Sequence, residues 1–252
     1  MPPSEYWDKT VKEMGESHLE FKIAQYKAKV HLELVKKWGS NLKDKRILKT
    51  DLFEEYFQRD SFFYPIDSEE KFGLDICKEI VTNVHKKDKN LKLCVTDVHR
   101  LPFEDESFDL IISNSTLDHI KKEWVSVALG EMKRILKPGG QLILTIDSRE
   151  NPLYMLGLFL GQRLHILPFY QDRCYSTNEI REIIENLGLR IEDTDSIFHV
   201  IPPLSHLLAF FEKRNIKYPE FLYKKIIDVA EKLKNKKSKY ITGRLLSFNI
   251  KK

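Results

Sequence analysis

Polar side chains that suit ligand binding close three separate apolar runs of the chain. Asp75 closes "KFGLD" and Asp97 closes "LKLCVTD". Ser113 and Asn114 close the third run, "SFDLIISN". An ionised carboxylate only accepts hydrogen bonds and can take two donors at once, so both aspartates suit a ligand that presents paired donors. The alternative is that they are ordinary carboxylates in turns at the ends of strands.

Asp118 and His119, in "NSTLDHI", lie just beyond the third run. An imidazole titrates near neutral pH, so His119 can take a proton from a hydroxyl or an amine, and Asp118 can act in the same way. The alternative is that both are surface residues at the start of a helix, beside Lys121 and Lys122. We keep both as candidate catalytic residues.

These side chains need a scaffold that brings several strand ends together. Short apolar runs predict strands at Arg46–Asp51, Lys71–Ile76, Leu91–Asp97, Ser107–Asn114 and Gln141–Asp147. An amphipathic stretch from Val125 to Leu136 predicts one of the helices between them, and "LKPGG" predicts a turn after it. Alternating strands and helices predict an α/β fold, with a mostly parallel twisted sheet covered by helices on both faces. Ligands of such sheets bind beyond the carboxyl ends of the strands.

Further elements are predicted on both sides of this region. An apolar stripe predicts an N-terminal helix through Leu19, Ile23, Tyr26, Val30 and Leu34. Ser176 and Glu179 form a capping-box pattern at the start of another helix, which Gly188 closes. Strands are predicted at Leu189–Val200 and Arg244–Ile250. We divide the chain into an N-terminal helical region, residues 1–44, and one domain, residues 45–252, with insertions at about 150–175 and at 201–240.

Composition is typical of a globular protein, with 42% hydrophobic and 11% aromatic residues. Three cysteines at wide spacing argue against a disulfide framework and for a reducing compartment. The start, "MPPSEYWDKT", lacks the basic and apolar parts of a signal peptide, so we expect a cytoplasmic protein. We expect no metal site, because no cysteine or histidine cluster has a metal-ligand spacing.

Charge is distributed unevenly along the chain. Residues 201–252 hold 13 basic and 4 acidic side chains, whereas residues 1–200 hold 29 and 34. A basic end on an acidic body indicates peripheral contact with an anionic or apolar surface, and the alternative is a solvated lysine-rich helix face. Nucleic acid is not the expected partner, because "KLKNKKSKY" has no interleaved aromatic residues on which bases could stack.

The segment "DVHRLPFEDESFDLIISNSTLDHI", followed by "ALGEMKRILKPGGQLILTID", resembles the class I S-adenosylmethionine-dependent methyltransferases, of the methyltransferase type 11 kind. The resemblance runs from about Arg46 to Asp147 and continues more weakly to the C-terminus. It implies a Rossmann-like methyltransferase fold with an antiparallel last strand. It also implies S-adenosylmethionine as cofactor and S-adenosylhomocysteine as product.

The resemblance assigns roles to particular residues. Asp75, followed by Ile76, matches the acidic residue that accepts hydrogen bonds from both ribose hydroxyls. Asp97 and Val98 match the pair that holds the adenine. Ser113 and Asn114 match residues beside the sulfur of the methyl donor.

The first strand and the loop after it depart from the family. The family has an acidic residue there and then alternate glycines, but this chain has Lys49 and then Asp51, Phe53 and Glu55. Glycine matters in such loops because the backbone must approach the ligand closely. In one outcome the loop takes a wider path, and Asp51, Glu54 or Glu55 pairs with the ammonium and sulfonium charges of the cofactor. In the other, the cofactor no longer binds, and the protein is a non-catalytic binding or regulatory protein.

The insertion at about 150–175 is rich in apolar and aromatic residues: Tyr154, Met155, Leu158, Phe159, Leu164, Leu167, Phe169 and Tyr170. We expect it to form a lid and a pocket for a small hydrophobic acceptor, since such a segment is too apolar to lie bare in water. The alternatives are packing on the sheet or a dimer contact, and we expect a monomer or a homodimer. The expected function is methyl transfer to that small molecule.

Overall fold

The computed structural model describes residues 3–14, 22–57, 61–163, 173–201 and 216–252, together with residues 204, 208, 211 and 214. Within them the strands are β1 (Arg46–Lys49), β2 (Glu70–Asp75), β3 (Lys92–Val95), β4 (Phe108–Asn114), β5 (Leu136–Asp147), β6 (Arg190–Ile197) and β7 (Leu245–Lys251). The helices are α1 (Pro3–Met14), α2 (Lys22–Trp38), α3 (Phe53–Phe57), α4 (Lys78–Lys87), α5 (Lys122–Ile135), α6 (Pro152–Arg163), α7 (Thr177–Asn186), α8 (Glu220–Lys234) and α9 (Lys239–Thr242). A short 3₁₀ helix, Leu117–His119, follows β4.

The strands form one sheet in the order β3-β2-β1-β4-β5-β7-β6. Strands β1 to β5 pair in parallel, and β7 is antiparallel to both of its neighbours. The predicted fold class is therefore confirmed, including the antiparallel last strand. The strand order reverses between β1 and β4, which is the place where an open α/β sheet forms a crevice for ligands.

The core lies on both faces of the sheet, because neighbouring side chains of a strand point to opposite faces. Ile47 packs with Val30 and Leu34 of α2 on one face. Leu48, the next residue, packs with Leu129 of α5 on the other. Burial of both faces explains why the central strands read as apolar runs rather than as alternating patterns.

The observed element ends differ from the predicted ones for local reasons. Strand β1 ends at Lys49, because the chain turns away after the Thr50 N–H bonds the Ile112 carbonyl at 3.1 Å. Strand β5 begins earlier than predicted, at Leu136, which pairs with Phe108. Within it, Gly139 has a φ of 72°, the left-handed value that the predicted turn requires.

Helix positions follow their local signals. The predicted capping box at the start of α7 is present, with hydrogen bonds in both directions between Ser176 and Glu179. The sequence pattern did not predict α1 and placed the following helix from Leu19, which lies outside the described residues.

No helix in the described parts of the chain has the length and apolar character to cross a bilayer.

Candidate functional site

A cleft of about 820 Å³ lies at the carboxyl ends of β1 to β4, beside the reversal in strand order. Its volume falls within the range that is usual for small-molecule and cofactor sites, about 300–1,000 Å³. Strand ends contribute Thr50, Asp75, Asp97 and Asn114 to its lining. Helix α1, which the sequence pattern did not predict, contributes Trp7 to its wall. Residues that are distant in the sequence therefore meet around one opening.

Most of the predicted site residues line this cleft: Asp51, Phe53, Asp75, Ile76, Asp97, Val98, Asn114 and His119. Glu55, Ser113 and Asp118 are fully buried and are not part of the lining. Ser113 lies one residue before Asn114 within β4, where successive side chains alternate between the two faces. The geometry therefore separates each of these three from a direct contact with a ligand in the cleft.

Asp75 lies at the end of β2 with both carboxylate oxygens already engaged by the backbone. Its Oδ1 accepts from the Cys77 N–H at 2.8 Å, and its Oδ2 accepts from the Leu52 N–H at 3.0 Å. Each oxygen has a second lone pair that remains available to a ligand donor. Burial, together with repulsion from Asp51, raises the pKa of Asp75 to about 7. The contact with Leu52 also ties the end of β2 to the glycine-free loop after β1.

Asp97 and Val98 follow β3 at the neighbouring strand end. Asp97 Oδ1 accepts a hydrogen bond from the His99 N–H at 3.0 Å and also contacts the His99 imidazole. The Asp97 side chain is 41% exposed, whereas Asp75 is only 6% exposed. The two carboxylates therefore lie in different environments, one solvated at the rim and one buried at the floor.

A buried ion pair supports the loop that lacks glycines. Lys49 Nζ lies 2.7 Å from Glu55 Oε2, and both side chains are fully buried. The same ammonium donates to the Asp51 carbonyl at 2.5 Å, and Ser61 donates to the other Glu55 oxygen. Burial would lower the pKa of Lys49, but the charges of Glu55 and Asp51 outweigh it and raise that pKa. The basic residue that replaces the family's acidic position is thus neutralised by an acid six residues later.

The small residue that this loop requires lies on the neighbouring strand. A Cβ added at Gly73 in β2 would lie 2.6 Å from Leu52 Cδ2. Gly73 therefore leaves the space in which the Leu52 side chain packs against β2. Asp51 accepts from the Phe53 N–H at 3.1 Å, which caps the first turn of α3. The loop is replaced by the start of a short helix.

Phe53 lies in the wall of the cleft rather than across it. Its ring packs 4.7 Å from that of Phe57 and 6.4 Å from that of Trp7, measured between ring centroids. Trp7 in turn packs edge-on against His119 at 4.9 Å. These aromatic contacts join α1, α3 and the segment after β4 around an open cleft.

Lys27 of α2 and Glu54 of α3 form a second ion pair at the same end of the cleft. Lys27 Nζ lies 3.2 Å from Glu54 Oε1, and both residues line the cleft. Among the described residues, neither Glu54 carboxylate oxygen has a hydrogen-bond partner, so the Lys27 contact is an ion pair without hydrogen-bond geometry. Burial would raise the pKa of Glu54, but Lys27, His31 and Lys49 outweigh it and lower it to about 2. Glu54 is therefore a buried, ionised carboxylate with spare acceptor capacity.

The far end of the cleft is formed by Asp147 at the end of β5 and Arg244 just before β7. Asp147 accepts from the Tyr154 hydroxyl at 2.8 Å, and Arg244 Nε lies 3.4 Å from its other oxygen. Asp118 accepts from the Asp147 backbone N–H at 2.9 Å. Burial, together with the charge of Asp147, raises the pKa of Asp118 well above its usual value. Burial lowers the pKa of His119 to about 4, so the imidazole is neutral at physiological pH.

The predicted lid is only partly within the described residues. Tyr154 and Leu158 of α6 are buried, while Phe159 is 59% exposed. None of the described residues of α6 lines the cleft. Leu164, Leu167, Phe169 and Tyr170 lie outside the described residues. Within the described parts of the chain, no cluster of three or more His, Cys, Asp or Glu side chains has a geometry that suits a metal ion.

Comparison with known proteins identifies the group to which this fold belongs. A family model described as a methyltransferase domain matches residues 61–144. A Thermotoga maritima structure described as a "SAM-dependent methyltransferase, possible histamine N-methyltransferase" superposes over 99% of both chains, with a TM-score of 0.62 and 19% identity. Residues 61–144 therefore match a methyltransferase domain, and the whole chain shares the fold of that solved methyltransferase. The matched span of this methyltransferase domain begins after β1 and α3, the region that departs from the family pattern.

Two relatives match over about half of this chain. An uncharacterized protein of Methanocaldococcus jannaschii is 32% identical over 133 residues, which span 52% of this chain and 62% of that protein. A "probable S-adenosylmethionine-dependent methyltransferase" of Mycolicibacterium smegmatis is 25% identical over 127 residues, which span 50% of this chain and 46% of that one. The match thus covers less than two thirds of either relative.

The cleft residues that the sequence did not predict include three charged ones: Lys27, Asp147 and Arg244. Asp147 carried a usable signal, because it closes a predicted strand as Asp75 and Asp97 do. Arg244 carried a weaker one, because the first residue of an antiparallel strand lies at the edge where parallel strands end. Lys27 carried none, since no strand rule places a helix side chain from before β1 over the end of β1.

Proposed function

We propose that the protein is an S-adenosylmethionine-dependent methyltransferase whose acceptor is a small molecule with an apolar part. One arrangement supports this proposal: Asp75 and Asp97 lie at neighbouring strand ends and line one cleft that the glycine-free loop borders without closing. Apolar and aromatic residues, including Trp7, Ile120 and Trp124, supply the surface for the acceptor. When bound, S-adenosylmethionine supplies a methyl group activated by its sulfonium charge.

The residues present fit an adenosyl group. Asp75 and Ile76 would hold the ribose, because the Asp75 oxygens each keep a lone pair beyond the backbone bond that they accept. Asp97 and Val98 would hold the adenine at the next strand end. Asn114 is fixed beside β5 by the Thr145 hydroxyl, which donates to its side-chain oxygen at 2.8 Å, and it faces the reacting part of the cleft.

The acceptor would lie between the aromatic wall and the far end of the cleft. His119 is neutral and lines the cleft, so it can accept a hydrogen bond from the acceptor, although its lowered pKa makes it a weak base. Asp118 would act through Asp147, whose backbone it holds, rather than by touching the acceptor. Positioning of the acceptor is the larger contribution expected from the chain itself.

Thermal unfolding with and without S-adenosylhomocysteine tests the proposal. Ligand at 100 times its dissociation constant adds about 2.7 kcal/mol of stability, so the melting temperature should rise with ligand concentration. Adenosine monophosphate provides a control for general nucleotide binding and should give a smaller shift. No shift with millimolar S-adenosylhomocysteine would contradict the proposed function.

A further inference from the structure

We infer that Lys27 and Glu54 bind the zwitterionic amino-acid tail of the cofactor, with Lys27 pairing with the carboxylate and Glu54 with the ammonium. This inference rests on the proposed function. It assigns to two charged helix residues the part of the ligand that the family holds with a glycine-rich loop. Neither residue was assigned by strand-end position, and Lys27 lies outside the span that matches the methyltransferase domain.

The sheet order fixes where that tail must lie. Strands β3, β2, β1 and β4 are successive neighbours, spaced about 4.8 Å apart. A ligand with its base at Asp97 and its ribose at Asp75 already spans β3 and β2. Its remaining end therefore reaches the ends of β1 and β4. Lys27 and Glu54 line the cleft there with Thr50, which follows β1 directly.

Glu54 is a buried carboxylate with unused capacity to accept hydrogen bonds. It is 4% exposed, and neither of its oxygens has a hydrogen-bond partner among the described residues, although Lys27 Nζ lies 3.2 Å from Oε1 as an ion-pair partner. Buried carboxylates normally accept several hydrogen bonds, so a ligand ammonium would complete its set of partners. Lys27 has three donors and can keep Glu54 while it gains a ligand carboxylate.

Other charged groups near this end do not compete for the same role. Lys49 and Glu55 are paired with each other and fully buried below the loop. Burial raises the pKa of Asp51 to about 6, despite the opposing charge of Lys49. Glu54 is therefore the more fully ionised of the two carboxylates that line this end of the cleft. A zwitterion carries one charge of each sign, so the Lys27–Glu54 pair together with the bound tail has no net charge.

Three ligands that differ only in the tail test the inference by calorimetry. S-adenosylhomocysteine carries both charges, its decarboxylated analogue carries the ammonium alone, and methylthioadenosine carries neither. We expect Lys27→Met to weaken S-adenosylhomocysteine about tenfold or more and to leave the decarboxylated analogue unchanged or tighter. We expect Glu54→Gln to weaken both amines about tenfold, and neither variant to change methylthioadenosine by more than about threefold.

Comparison of ligands within one variant separates a binding effect from a loss of folding, which would weaken all three ligands alike. Lys29→Met is the matched control, since Lys29 lies on the same helix, is 59% exposed and does not line the cleft. Equal weakening of all three ligands, or no weakening of S-adenosylhomocysteine, would overturn the inference. If the unmodified protein binds none of the three, the proposed function fails instead.

Discussion

The two ends of the cleft are built in different ways. At the adenosyl end, Asp75 and Asp97 sit on the ends of adjacent parallel strands, as strand topology alone would place them. At the other end, a lysine–glutamate pair buried under α3 and a second such pair across α2 and α3 replace a flexible loop. The difference shows that strand topology places the side chains at one end of the cleft, whereas buried ion pairs between β1, α2 and α3 place those at the other.

Gly73 and Leu52 show how the glycine-free loop packs against the sheet. The space for the Leu52 side chain lies on β2, at Gly73. Phe53 then packs against Phe57 and Trp7 rather than across the opening. A degenerate motif in the sequence is therefore compatible with a complete crevice in the fold.

The largest expected effect is a loss of stability when the buried Lys49–Glu55 ion pair is broken. Lys49→Met leaves Glu55 buried without its cation, which should lower the free energy of unfolding by about 3–5 kcal/mol. Lys49→Met combined with Glu55→Gln should recover most of that loss, because it removes both charges. Urea denaturation of the three proteins measures this, and an equal loss in the single and double variants would show that the pair is not the support of the loop.

The next effect tests the adenosyl end. Asp75→Asn should weaken S-adenosylhomocysteine and methylthioadenosine alike by about 100-fold, or about 2.7 kcal/mol, since both carry the ribose that the carboxylate would accept from. Calorimetric titration measures both affinities. Asp88→Asn, beyond the end of α4 and outside the cleft lining, is the control. A loss confined to the ligand with the amino-acid tail would contradict the division between the two ends.

These expectations differ in how far the sequence alone supports them. Asp75 and Asp97 could be placed beforehand, because an apolar run predicts a strand and a parallel sheet gathers strand ends at one edge. Ser113 and Asn114 were predicted together, and Glu54 and Glu55 were offered as alternatives, but only Asn114 and Glu54 line the cleft. A shift of one residue moves a side chain to the other face of a strand or about 100° around a helix, and residue type does not report it.

Lys27 could not be placed from sequence for a different reason. Its position depends on how α2 packs on the sheet, which is a property of the assembled fold. Trp7 belongs to the same class, since α1 has only a short apolar pattern. The end of the cleft with Asp75 and Asp97 was therefore largely predictable. The ends with Lys27 and Glu54, and with Asp147 and Arg244, were largely not.

A smaller effect is expected from pH at the adenosyl end. The ribose hydroxyls favour the ionised form of Asp75, whose pKa is raised to about 7 by burial and by Asp51. Binding of S-adenosylhomocysteine should therefore weaken by up to about tenfold for each pH unit below about 7. Calorimetry from pH 5.5 to 8 measures this slope, and Asp75→Asn should flatten it. A slope that is unchanged in the variant would assign the titration to another group.

The stability of the ligand-free protein should change with pH in the direction opposite to that of ligand binding. The folded pKa of Asp75 lies above its unfolded value of 3.8, so the folded state holds the proton more tightly. This contribution to stability is complete below about pH 4 and is lost as pH rises through about 7. Urea denaturation without ligand from pH 4 to 7 should show that loss, reduced in Asp75→Asn.

A crystal structure with S-adenosylhomocysteine bound tests the central claim most directly. It should show the ribose hydroxyls at Asp75, the adenine at Asp97 and Val98, and the amino-acid tail between Lys27 and Glu54, with the Phe53 ring still against Phe57. A structure from the same soak with the Phe53 ring filling the crevice, and the ligand absent or bound elsewhere, would contradict it.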